Sequence, residues 1–256
     1  MRRDVLQLRT FYASPLGAAV RDIVERKIVE AWGGTSGLDV LGVGYATPFL
    51  ESYLSQARRV VAAMPAAQGV ETWPSDTANL TALSSETELP FTNALFDRVL
   101  AVHSLEESDD PTAVLNELRR VLAPSGRLIV VAANRRGLWS RAEATPFGYG
   151  RPFSRPQLEE LVRAAGLEPT AWSRALYAPP LPMFSGLAGS FEHMGARLAA
   201  PMSGVILMEA VKQTFAVRPR GAVAPARSVR ALRPSPVPAG ARERFHRGWF
   251  HRHRVG

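Results

Sequence analysis

The chain has 256 residues, 31 of them basic and 23 acidic, giving a formal charge of +8. It has no cysteine, which excludes disulfides, thiolate metal sites, iron–sulfur ligation and cysteine nucleophiles. The charge is uneven: residues 217–256 hold ten arginines against one acid, Glu243, so the remaining body is close to neutral and is not a basic nucleic-acid-binding domain as a whole.

The N-terminal residues have no apolar run of signal-peptide length. Residues 15–32 read as a helix. Val20, Ile23, Val24, Ile28, Ala31 and Trp32 fall at helical spacing, and Gly33-Gly34 stops them. Residues 38–44 form a short apolar run ending in Gly42-x-Gly44, a buried strand entering a tight turn. A helix is expected over 48–56. A second strand is expected over 59–63, ended by Met64-Pro65.

Residues 96–102 read as another strand. Asp110 stands at an N-cap position with Pro111 after it. Val114, Leu115, Leu118, Val121 and Leu122 form the apolar face of the helix that follows. Pro124-Ser125-Gly126 ends it, and residues 127–132 form a buried strand. Ser154 and Gln157 match a capping box, opening a helix that ends at Gly166. Strands are expected at 168–173 and 205–215. Residues 175–203 form an insertion between them, rich in Pro, Gly, Met and aromatics. Its uncharged stretch, 175–191, is broken by prolines and glycines and falls short of the roughly 20 apolar residues a membrane span needs.

Alternating strands and helices imply a parallel sheet wrapped by helices. Ligands of such sheets bind at the carboxyl ends of the strands, where the order reverses. Gly42 and Gly44 lie at one such end. The third glycine of the dinucleotide fingerprint is absent and no acid ends the second strand, which disfavours NAD.

Three further segments add specificity. Glu88-Leu89-Pro90-Phe91 precedes Leu95-Phe96-Asp97-Arg98-Val99-Leu100. Glu117-Leu118-Arg119-Arg120-Val121-Leu122-Ala123-Pro124-Ser125-Gly126 follows, and Phe153-Ser154-x-x-Gln157-Leu158 leads to Ala165-Gly166-Leu167. In this order, over residues 36–173, the chain resembles the class I S-adenosylmethionine-dependent methyltransferases, in their type 11 branch. The resemblance implies an α/β fold: a Rossmann-like three-layer sandwich with a seven-stranded, mostly parallel sheet whose last strand is antiparallel. The expected domain spans 1–216, with a core at 36–173 and the insertion as a cap. Residues 217–256 are expected to be a disordered basic tail.

The resemblance also implies S-adenosyl-L-methionine as cofactor. Gly42, Val43, Gly44, Tyr45 and Ala46 would face its methionine part. Met64 and Pro65 would lie near the ribose, Ser85, Glu86 and Leu89 near the adenine, and Val102 and His103 beside the sulfonium. Val40 and Met64 stand where the family carries acids, and Ala46 replaces a glycine. A degenerate site serving a binding or scaffold module therefore stands as the alternative to a methyltransferase.

His103 is the titratable group at that site suited to base work; its other reading is a histidine bonding to loop backbone. Arg135, Arg136, Trp139 and Arg151 follow the fifth strand. They read as contacts to an anionic small-molecule acceptor, or as solvated charge and loop packing. Tyr12 and Arg21 could close over the cofactor. The tail could contact RNA or anionic membranes. The expected localisation is cytoplasmic.

Overall fold

The computed structural model describes residues 3–198, 202–212 and 251–252. Two helices open the chain, α1 (Val5–Ala13) and α2 (Pro15–Trp32). Ser14 joins them: its backbone N–H donates to Phe11 O, and its hydroxyl accepts from Gly17 N at 3.1 Å. A Cβ on Gly17 would lie 1.9 Å from Phe11 O, so only glycine permits this crossing.

The strands are β1 (Asp39–Gly44), β2 (Arg59–Pro65), β3 (Thr81–Ser84), β4 (Phe96–Val102), β5 (Leu122–Ala133), β6 (Leu167–Ala175), β7 (Val205–Lys212) and β8 (His251–Arg252). They form one sheet in the order β3-β2-β1-β4-β5-β7-β6-β8. β3, β2, β1, β4 and β5 are parallel neighbours; β7 runs antiparallel to both β5 and β6. The order reverses between β1 and β4, whose carboxyl ends therefore lie side by side.

α3 (Pro111–Val121) and α4 (Arg155–Ala164) begin at the predicted caps: Asp110 accepts from Ala113 N at 3.0 Å, and Ser154 with Gln157 forms the capping box. Side chains alternate across the sheet. Val40, Leu100, Val102, Ile129 and Val131 join the core under α1 and α2. Leu41, Val43, Val99, Ala101 and Val130 join the core under α3 and α4. Among the described residues, no helix is long and apolar enough to cross a membrane.

Several expectations change. Residues 48–56 do not form an α-helix. Two 3₁₀ turns, Thr47–Phe49 and Glu51–Tyr53, stand there, with i→i−3 bonds from Phe49 N to Ala46 O and Tyr53 N to Leu50 O. The tighter turns bury Phe49, Leu50 and Tyr53 together. Met64 and Pro65 do not end β2 but belong to it, in register with Leu83 and Ser84. Leu122 and Pro124-Ser125-Gly126 do not close α3, which ends at Val121; they open β5 instead, while the insertion carries the 3₁₀ segment Pro182–Leu187 and α5 (Ala188–Leu198). Lastly, β8 places two tail residues against the edge strand, His251 beside Trp172 and Arg252 beside Ala171. Residues 199–201 of the insertion, 213–215 of the expected last strand, residue 216, and 217–250 and 253–256 of the expected tail lie outside the described residues.

Candidate functional site

β1 ends at Gly44 with φ +82°. A Cβ there would sit 2.1 Å from Val102 O, so the turn is pressed against the end of β4. Tyr45 N donates to Val102 O at 2.9 Å and closes the two strand ends together. Every residue from 39 to 47 is buried. Gln68, in the loop after β2, donates to Gly44 O at 3.5 Å, and its own Oε1 is buried without a partner.

β4 hands over directly to His103, which adopts φ +50° and is 2 % exposed. Its Nε2 lies 2.8 Å from the Tyr12 hydroxyl of α1. Its ring packs 4.8 Å from Phe147. Burial, with help from the nearby Arg3 charge, pushes the imidazole down to about 3, so the ring is neutral at neutral pH. Burial also raises the Tyr12 phenol well above its usual range, with Tyr45 and Glu106 adding to it. The pair therefore shares a hydrogen bond between uncharged partners.

Tyr12 stacks on Tyr45 at 5.7 Å and meets Phe49 edge-on at 5.5 Å. The Tyr45 hydroxyl donates to Glu71 Oε1 at 2.8 Å. Burial, then Glu71, raises the Tyr45 phenol far above its usual range. Arg9 approaches the other Glu71 oxygen at 3.8 Å.

Beside this aromatic cluster opens a cavity of about 760 Å³. Tyr45, Thr47 and Glu51 line it from the segment after β1, and Glu71, Trp73 and Asp76 from the loop after β2. α1 contributes Arg9 and Tyr12, and α2 contributes Arg21. The cavity thus sits at the carboxyl edge of β1 and β2.

The structure gathers Gly42, Val43, Gly44, Tyr45, Ala46, Val102 and His103 at one end of the sheet, with Met64 and Pro65 buried on the neighbouring strand. Of these, Tyr45 lines the cavity. Leu89 is buried, and its N–H donates to Glu117 Oε1 at 2.6 Å. Ser85 and Glu86 follow β3 at the rim, and neither lines the cavity. Asp39, the acid in the first strand, lies at its opposite end, bonded to Arg58 Nε at 2.9 Å.

The arginine loop is divided. Arg151 donates to Ser108 O at 2.8 Å, and Arg135 to Pro152 O at 3.2 Å, so both tie loops together. Trp139 is buried, with its indole N–H on Ala178 O at 2.8 Å, which anchors the insertion. Arg136 remains exposed. Gln68, Glu71, Trp73 and Arg9 were not legible as site residues: they lie in helix or loop without a motif and are recruited by the fold.

The strand order, with β7 reversed beside β5, is that of the class I Rossmann-like methyltransferase fold. Residues 38–130 match the family described as "Methyltransferase domain". That segment, about a third of the chain, is similar to methyltransferase domains. An uncharacterized protein of Mycobacterium tuberculosis and one of Mycobacterium bovis are each 27% identical over 197 residues, 70% of this chain. The chain spans 63% of the length of these relatives.

Among solved structures, a complex of the Haloferax volcanii Trm112 methyltransferase activator with a methyltransferase gives a TM-score of 0.56 at 15% identity, covering 84% of this chain and 100% of that one. A Burkholderia thailandensis 1,6-didemethyltoxoflavin-N1-methyltransferase, with 1,6-didemethyltoxoflavin and S-adenosylhomocysteine bound, gives 0.50 at 20% identity, covering 78% of this chain and 79% of that one. These likenesses are likenesses of fold.

Proposed function

We propose that the protein binds S-adenosyl-L-methionine and transfers its methyl group to a small-molecule acceptor. The observation that carries this reading is Glu71. Met64 cannot accept hydrogen bonds from ribose hydroxyls as a carboxylate does, but Glu71 brings a carboxylate to the wall of the cavity beside the glycine turn. Gln68 adds a buried, unpartnered acceptor behind Gly44. This set of acceptors and rings suits the nucleoside half of the cofactor: Glu71 for the ribose hydroxyls, Trp73 and Tyr45 as aromatic walls. Gly44 and Tyr45 would take the methionine half.

When bound, the cofactor supplies a methyl group already activated on a sulfonium. The chain then has to position and to exclude water. α1 serves the second purpose, because Tyr12 covers His103 and Tyr45 from above the strand ends. His103 is poorly matched to base work, since an imidazole near 3 holds a proton too weakly at neutral pH. In this reading it orients the Tyr12 hydroxyl. The acceptor is then one whose nucleophilic atom attacks without giving a proton to His103.

The second reading, a binding or scaffold module with a lapsed cofactor site, is favoured by the same Tyr12–His103 contact, which fills the space beside the glycine turn. Calorimetric titration of the full chain with S-adenosylmethionine and S-adenosylhomocysteine separates the two. The enzyme reading expects saturable binding, weakened about tenfold in Glu71→Gln by loss of a charge-assisted hydrogen bond. Absence of binding at millimolar ligand by a folded protein would establish the module instead.

A further inference from the structure

We propose that Arg136, Arg155 and Arg174 form a binding site for a phosphate-bearing ligand at the carboxyl edge of β5 and β6. Trp172 organises it. The Arg155 guanidinium stands 4.3 Å from the centre of its ring and the Arg174 guanidinium 4.7 Å. Trp172 and Arg174 project to the same face of β6, two residues apart. Arg155 is the first residue of α4, at the positive end of that helix.

Arg155 is braced by Glu159 at 2.6 Å. Arg136 and Arg174 are different: among the described residues no carboxylate pairs with either. Arg174 is half-buried, and burial holds its pKa below the usual guanidinium range, with Arg155 and Arg136 adding and Tyr177 opposing, while the group stays charged. Two guanidiniums stand against one ring and Arg136 is near enough to act on Arg174, so three like charges repel one another. A multiply charged oxyanion would offset that repulsion, and the planar guanidinium fork matches a phosphate bidentately.

A phosphate-bearing small molecule is favoured over a nucleic-acid strand. Arg155 and Arg174 are half-buried, unlike the exposed side chains that track a polynucleotide backbone. The site is separate from the cavity at β1 and β2, which none of these residues lines. It holds whether or not the chain transfers methyl groups.

Trp172 supplies the probe. The full chain, in phosphate-free buffer, is titrated with inorganic phosphate, with pyrophosphate and with a short single-stranded RNA, while tryptophan fluorescence is followed. Pyrophosphate should give a saturable change that Trp172→Phe abolishes. Arg174→Gln and Arg136→Gln should each weaken binding by about tenfold or more, the loss of one charge-assisted contact. Arg174→Lys should weaken it too, because the fork is lost. Arg136 is exposed, so its variant tests the site even if Arg174→Gln fails to fold. Unchanged pyrophosphate affinity in folded Arg136→Gln and Arg174→Gln would overturn the proposal. So would saturation by the RNA with no response to pyrophosphate.

Discussion

The Tyr12 hydroxyl and His103 Nε2 lie 2.8 Å apart, joining the first helix to the residue that follows the central strand β4. Both groups are buried, so each depends on the other for its hydrogen bond. Tyr12→Phe leaves the imidazole nitrogen without a partner. The expected cost is about 1–3 kcal/mol, the usual penalty for an orphaned buried polar group. Chemical denaturation of the two proteins checks it. A loss within error of zero would show that water replaces the hydroxyl and that α1 is not locked there.

The same histidine sets a pH dependence. Its pKa falls from an ordinary 6.5 to about 3 on folding. Between those values the unfolded chain binds a proton that the folded chain refuses. Stability supplied by the neutral ring is therefore present above about 6.5 and is lost as pH falls toward 3. The slope contributed by one group approaches about 1.4 kcal/mol per pH unit. Denaturation midpoints at several pH values should show the loss in the parent protein, and a shallower dependence in His103→Gln. Equal slopes would place the titration elsewhere.

Gly44 and Gly33 make a controlled pair. Both have positive φ, +82° and +66°. At Gly33 an added Cβ meets nothing within 4 Å, whereas at Gly44 it meets the Val102 carbonyl at 2.1 Å. Gly33→Ala should cost about 1–2 kcal/mol, the backbone penalty alone at φ +66° and ψ −145°. Gly44→Ala adds a clash with backbone that cannot swing aside, and should cost at least about 2–3 kcal/mol. It should also separate the ends of β1 and β4, where the site stands. Equal losses of thermal stability would mean that the turn relaxes freely.

What could be read from the sequence follows burial. β1, β4 and β5 are continuous apolar runs because both faces of the sheet are covered. α3 and α4 carry explicit caps, and both were legible. β3 was not, since Thr81–Ser84 is a short, polar, half-exposed edge strand. α1 has a weak amphipathic pattern and gains its place from packing, through Val5 N on Gln68 O at 2.9 Å and Tyr12 on His103. The glycine turn of the site was visible as spacing. Glu71 was not, because it lies six residues beyond Pro65 in a loop, and only the fold returns it to Tyr45.

Asp39 and Glu71 are acids with different work in this fold. Asp39 stands one residue before Val40, the place where the family carries an acid. Asp39 instead receives two bonds from Arg58 at the amino end of β1, and that pairing holds its carboxyl below the usual range. The Asp39 backbone N–H is held by Asp97 Oδ2 at 2.9 Å, at the same end of the sheet. Asp39→Asn should therefore lower the thermal midpoint, by a few degrees at most for a pair open to solvent on the Arg58 side, and should leave S-adenosylmethionine affinity unchanged. Glu71→Gln should do the reverse, with affinity about tenfold weaker and a small change in midpoint, because its amide oxygen can still accept from Tyr45. Calorimetric titration and a thermal melt on both variants give four numbers. If Asp39→Asn weakens the cofactor and Glu71→Gln does not, the nucleoside lies away from the cavity, and Glu71 serves only to hold Tyr45 in the wall beneath Tyr12.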